Sequence, residues 1–298
     1  MPYNMSMIRR REKEEVEQKI GNITYYGKDQ YECPVCKTKF KKEELHQGGG
    51  RLIAGDLTDE LHRLYTPSVK YGEVIPLIYQ IVVCPKCLYA SFPADFRLPS
   101  TAVIEKLFAQ MQNRSISIKR FFPTLRFNEL RTINEGAASY YLAILCYELF
   151  DKKFSPTVKQ AICSLRAGWL FNNLDEKRPG ENYAYIAQLF LKKATFLYRK
   201  ALINEQKGIE IMSNAKNLGP DTDKNYGYDG VLYLVALLQY KYGSRTDMEA
   251  RTKELMRQKG TLAKMFGLGK TTKEKPGPLL ELARDLYDKL KEELHEEE

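Results

Sequence analysis

The chain has 298 residues, enough for two domains that each bury a core. Its 43% hydrophobic and 29% charged residues are the ordinary balance of a soluble globular protein. No run of about 18 apolar residues occurs, and no apolar stretch follows the arginines of MPYNMSMIRRREKEEVEQ, so neither a membrane span nor a secretory signal is expected. The net charge of +9 invites a nucleic-acid partner, but it is unevenly placed. Residues 101–220 carry +8, with 18 basic and 10 acidic side chains, whereas residues 1–100 carry only +2 and residues 221–298 carry −1.

Residues 1–28 read as a flexible tail, whose run IRRREKEEVEQKI alternates blocks of opposite charge with few apolar side chains. The first chemical signal is Cys33-Pro-Val-Cys36 after Tyr31, and its exit KTKFKKEELHQ begins as a short strand. The glycines Gly48-Gly49-Gly50 form a flexible loop without the spacing or strand-to-helix context of a phosphate cradle. Residues 56–65 then predict a short helix with Leu57, Leu61 and Leu64 on one face. Val74–Val83, rich in β-branched residues, predicts the clearest strand, with Pro76 placing its start at an edge. That strand leads into a second hook, Cys84-Pro-Lys-Cys87.

Two residues between cysteines let one tight turn aim both sulfurs at a point. One such hook also fits a redox dithiol or coincidence; two supply the closed S₄ shell of structural zinc. The ligands expected are Cys33, Cys36, Cys84 and Cys87, with His46 in reserve and no open position for catalysis. The 47 residues between Cys36 and Cys84 exceed the usual ribbon spacing, so a segment is inserted between the hooks. Paired hooks without a signal sequence fit a reducing cytoplasm. Cys146 and Cys163 sit in apolar helical patterns and read as core, and His62 reads as a surface or packing residue. Four thiolates around Zn²⁺ would carry a formal −2, bringing the first hundred residues to about neutral.

The run Pro76-x-x-Tyr79, Val83-Cys84-Pro85-x-Cys87, Tyr89-Ala90 and Asp95-Phe96, preceded by Cys33-Pro34-x-Cys36 and Phe40, resembles the bacterial family known as domain of unknown function 2225. The likeness is specific over residues 31–96 and looser over the helices beyond. Members usually carry glycine after the second cysteine of a hook, where this chain has Lys37 and Leu88. The resemblance implies a cytoplasmic zinc-ribbon protein with a tetratricopeptide-like remainder, and it implies no reaction.

From Pro99 the periodicity becomes helical. Ser100 or Thr101 begins a helix to about Asn113, and further helices are predicted over 137–150, 158–173, 181–204 (continuing to about 214), 228–242 and 248–259. Ala143-x₃-Tyr147 and Ala194-x₃-Tyr198 resemble packing pairs of tetratricopeptide repeats, without a fixed 34-residue period. Residues 119–131 mix bases with Phe121, Phe122 and Phe127, a composition suited either to stacking on single-stranded nucleic acid or to anchoring a loop. Gly269-Lys270-Thr271 mimics the end of a phosphate loop without its first glycine or a preceding strand. A final helix, 279–294, is apolar on one face and is expected to cap the array.

The expected fold is α+β, mainly α: a small N-terminal four-cysteine zinc ribbon followed by an α-helical, tetratricopeptide-like hairpin array. The divisions are 1–28 tail, 29–98 ribbon module, 99–266 helical domain, 267–278 linker and 279–298 capping or docking helix. With three histidines, none in a known arrangement with a nucleophile or base, no catalytic residues or small-molecule substrate are expected. The leading expectation is a non-enzymatic adaptor that binds a protein partner on its helices. Nucleic-acid binding through the basic middle segment is the alternative.

Overall fold

A computed structural model describes residues 21–266 and 277–295. The charged run 8–20 and the Gly269-Lys270-Thr271 segment lie outside the described residues. The N-terminal part is built of three separate antiparallel hairpins: β1 (Thr24–Glu32) with β2 (Lys39–Leu45), β3 (Ile53–Leu57) with β4 (Arg63–Thr66), and β5 (Val82–Val83) with β6 (Ala90–Ser91). The first and third carry the hooks at their turns. The register of β1 against β2 shifts between Tyr26 and Gln30, a bulge beside Gly27.

Several expectations from the sequence are corrected, beginning with residues 24–28, which were expected in the tail and belong to β1. Residues 56–65 form the β3–β4 hairpin, not a helix. Thr58 and His62 close its turn with a bond from Thr58 N to the His62 carbonyl (2.8 Å), and Thr58 Oγ1 accepts from His62 N (3.1 Å). Such a side chain offers the backbone an alternative to helical pairing. Leu61, at φ +60°, is fully buried, while Leu64 is 45% exposed, so the leucines never shared a face. The stretch 74–83 is likewise not one strand. Pro76–Tyr79 is a 3₁₀ turn and only Val82–Val83 pair in β5. Proline suits the first position of such a turn because it has no N–H to lose. The main-chain carbonyls are taken by side chains from elsewhere: Tyr140 donates to Leu77 O (2.9 Å), and Arg131 donates to the carbonyls of Ile78 (3.3 Å) and Ile81 (2.8 Å).

The helices follow as α1 (Thr101–Ala109), α2 (Met111–Lys119), α3 (Ile133–Tyr147), α4 (Pro156–Lys177), α5 (Tyr183–Gln206), α6 (Gly227–Tyr242), α7 (Met248–Phe266) and α8 (Gly277–Glu293). The helix expected from Thr101 breaks at Gln110 and resumes. α3 starts on a capping box, Thr132 accepting from Asn134 N while Glu135 accepts from Thr132 N. α5 stops at Gln206 short of the expected 214, where Gly208 (φ +66°) turns the chain into a loop. From α3 onward each helix packs on the next in sequence. Gly168 lets α4 and α5 touch: a Cβ there would lie 2.7 Å from Leu191. α8 packs on α7 and α6, with Leu279, Ala283, Leu286 and Leu290 buried.

The buried residues form one contiguous core that runs from the hooks into α8. Tyr89 joins the parts: its ring lies 4.8 Å from that of Phe96 and 6.5 Å from that of Phe150 beyond α3, while Tyr31 and Phe40 of the first hairpin meet Phe96 edge-on at 5.5 and 5.9 Å.

Candidate metal centre

The two hooks have the same backbone. The amide of Cys33 donates to Thr38 O (3.0 Å) and that of Lys37 to Cys33 O (2.9 Å); Cys84 N donates to Tyr89 O (2.9 Å) and Leu88 N to Cys84 O (3.0 Å). This double turn forces the residue after the second cysteine into the left-handed region, where Lys37 has φ +60° and Leu88 φ +56°. Glycine is the residue that adopts this conformation without a Cβ clash, so the hook holds its turn here at a conformational cost.

The turns bring together all four expected ligands. Cys33 Sγ lies 3.5 Å from Cys87 Sγ and Cys36 Sγ 3.5 Å from Cys84 Sγ, and the four sulfurs fall within 4.8 Å of one another. Cys33, Cys84 and Cys87 are fully buried, and Cys36 is half-buried with Thr38 Oγ1 accepting from its thiol. The first sulfurs of one hook face the second sulfurs of the other, so the cluster also clasps hairpin β1–β2 to β5–β6. Hydrogen bonds from Cys33, then Cys87, hold the Cys84 thiol well below its ordinary value, and the bond to Cys84 pushes Cys33 up. Cys87 is pushed up by Cys33 and Cys84 together. Four sulfurs this close cannot all ionise without a cation among them. A soft metal ion would supply that cation, and the four sulfurs would make a closed shell around it.

One neighbour was not foreseen. Arg114 of α2 is 2% exposed and donates to Cys87 O (3.0 Å) and Leu107 O (2.8 Å), with no carboxylate partner among the described residues. It places a buried cation behind the second hook. The signal available was an arginine between Met111 and Ile118 on the inward face of a weakly amphipathic helix. Cys146, fully buried, accepts from Ala90 N (3.4 Å), and burial pushes its thiol up to about 11, as it pushes Cys163 up to about 12. Both are core residues, as expected. His46 packs against Tyr25, the rings tilted at 4.6 Å, and is not part of the cluster.

The remaining candidates also have definite places. His62 is not a free surface group: it stacks on Trp169 at 4.2 Å and its Nδ1 pairs with the buried Asp221. In the basic segment, Phe122 and Phe127 are buried, Phe121 packs on Tyr141 at 5.1 Å, and Arg131 is buried against Glu43; Lys119, Arg120 and Arg126 are exposed. The largest solvent-facing apolar side chains on one helix are on α5. Tyr185 (66% exposed), Leu189 (47%) and Phe196 (62%) recur at helical spacing along its outer face, flanked by exposed Lys192, Lys193 and Lys200.

A family model described as "Uncharacterized protein conserved in bacteria (DUF2225)" matches residues 25–290. A protein of Borreliella burgdorferi, described as "Uncharacterized protein", is 43% identical over 279 residues, covering 92% of this chain and 99% of its own. No solved structure matches.

Proposed function

Because the chain belongs to the bacterial DUF2225 family, whose description names no reaction, we propose a function from the geometry: a non-enzymatic, zinc-stabilised cytoplasmic scaffold that binds an acidic amphipathic segment of another protein. The outer face of α5 carries this reading. α5 is packed on its inner side by α4 and α6, yet its outer side offers three large apolar residues within a collar of lysines. An amphipathic helix laid along such a face buries apolar area at the centre and pairs acidic flanks at the rim. The aromatics of the 119–131 segment are committed to the core, which favours a protein partner over stacking on nucleic acid.

Zinc is the ion that suits the hooks. Tetrahedral Zn–S bonds of about 2.3 Å set sulfurs about 3.8 Å apart, within the range the cysteines already span. The metal would stabilise the N-terminal hairpins and support the surface presented by the helices.

The test compares nuclease-treated pull-downs of zinc-loaded wild type with those of a Leu189→Ser/Phe196→Ser protein of unchanged circular dichroism. A protein retained by wild type, lost in the variant and weakened by Lys193→Glu supports the reading. Retention that ignores the α5 substitutions, or that vanishes with nuclease alone, removes it in favour of another surface or of nucleic acid.

A further inference from the structure

We propose that a cavity at the junction of the second hook and the helices is a binding site for a small organic dianion of the dicarboxylate class. The cavity, about 300 Å³, lies between the exit of the hook (Phe92–Asp95), one face of α4 and the loop 215–222 that joins α5 to α6. Its size is that of a small metabolite, and its position between structural parts is a common one for ligand sites.

Two buried cations of α4 line it. Lys159 and Arg166 are each 4% exposed and stand two helical turns apart, with Ile162 between them on the same wall. Arg166 is buried without a direct ion pair among the described residues. Its Nε donates to Pro220 O (2.7 Å) and its Nη2 to Gly219 O (3.3 Å) and Asp221 O (3.1 Å), all main-chain carbonyls. Among the described residues no carboxylate lies within ion-pair distance of it. The nearest acid, Asp221, is engaged by His62 and by the amides of Arg63 (2.7 Å) and Thr222 (2.6 Å). Carbonyls satisfy the hydrogen bonds of the guanidinium, and its charge is offset without a direct ion pair, by Asp221 and by the ring faces of Phe92 (5.6 Å) and Tyr140 (5.9 Å).

Lys159 is better paired but not saturated. It donates to Asp95 Oδ2 at 2.6 Å, and that same oxygen also accepts from Tyr147 (2.6 Å); no other acceptor for the ammonium is found among the described residues. Exposed Lys216 is a third cation lining the cavity, which also holds the carboxylates of Asp95 and Asp221. The wall therefore has a cation at each end and an apolar middle of Ile162 and Phe92. A chain of a few methylenes ending in two carboxylates matches that order; Gln80, whose amide donates to Pro76 O (3.1 Å), also lines the cavity.

The probe is glutarate, titrated calorimetrically into the full-length metal-loaded protein, with glutaramide as the neutral isostere and sulfate at equal ionic strength as the control for general salt effects. The expected result is saturable binding and a raised Tm with glutarate only. Arg166 also ties down the 219–221 loop, so Arg166→Gln is not a sufficient test. Gln80→Glu leaves both cations and the loop in place, adds a negative charge to the wall, and should weaken glutarate roughly tenfold while the protein stays folded. Absence of binding by glutarate, succinate and adipate at about 20 mM overturns the proposal. So does equal binding of glutaramide, an equal Tm gain with sulfate, or glutarate binding that Gln80→Glu leaves unchanged.

Discussion

Lys37 and Leu88 occupy the position where a metal hook most needs a residue without a Cβ. Of the two, Lys37 is exposed and Leu88 packs on the core, so only the first can be replaced without losing a contact. Lys37→Gly should relieve the left-handed strain and stabilise the protein by about 1 kcal/mol, after allowing for the extra freedom glycine gives the unfolded chain. Chemical denaturation at constant metal measures it, and a loss of stability would show that the lysine makes a compensating contact. Arg114 belongs to the same scale. A metal held by four thiolates carries −2, and a buried guanidinium on the carbonyl of Cys87 is placed to offset it. Arg114→Met should lower metal affinity by about 10- to 100-fold in competition with a chromophoric chelator, with Arg114→Lys recovering part. Affinity equal to wild type in the methionine variant would make Arg114 a packing residue only. The clustering of the four cysteines was legible because the spacing within each hook is a local property of two short turns. Arg114 was not, because its role depends on where a helical residue 27 positions beyond Cys87 comes to lie.

The β3–β4 hairpin shows at the next scale why local pattern misled. Leucines at 57, 61 and 64 fit a helical face, but the segment is held by partners more than a hundred residues away. Glu60 accepts from Trp169 and Tyr242, Lys241 bridges Asp59 (3.1 Å) and Glu60 (2.7 Å), and Tyr233 donates to Asp59 O (2.8 Å). Long-range satisfaction of this kind overrides helical periodicity and cannot be read from a ten-residue window. The helices from α3 to α7 were legible, since their stripes are long and their neighbours follow in sequence. The hairpin's other tie is Asp221, which meets His62 at the tip. Burial raises its carboxyl, but the His62 hydrogen bond and charge and the Thr222 amide outweigh this, and the net shift is downward from 3.8. A carboxyl depressed in the folded state contributes stability above its unfolded value, and that stability is lost as pH falls through the folded one. Wild type should therefore lose more Tm than Asp221→Asn as pH drops below about 4, although the variant starts less stable at pH 7. Acid release of metal affects both proteins, so the difference between their Tm curves isolates Asp221. Parallel curves would remove the linkage.

For the molecule as a whole, the question is whether the hooks form a separable module. The composition break at residue 99, where strand-like pattern gives way to helical, suggests a boundary there. The packing points the other way. Phe96 and Tyr89 are fully buried between the first hairpin and Phe150, Tyr147 reaches back to Asp95 (2.6 Å), and Tyr140 reaches back to Leu77. Residues on both sides of the break thus share one apolar core, and neither side retains its buried surface alone. A core of this kind unfolds as a unit. Stripping the metal with a chelator should then lower a single cooperative transition, with the helical signal at 222 nm and the tyrosine fluorescence falling together. Cys84→Ser should reproduce that shift without added chelator, because it removes one ligand and leaves a buried hydroxyl in a sulfur cage. Two resolved transitions, the helical one unmoved by metal, would establish an independent ribbon and confine the metal's influence to the N-terminal hairpins. A single transition that moves with metal makes the α5 face dependent on the hooks, since loss of the ion would then loosen the helices that present it.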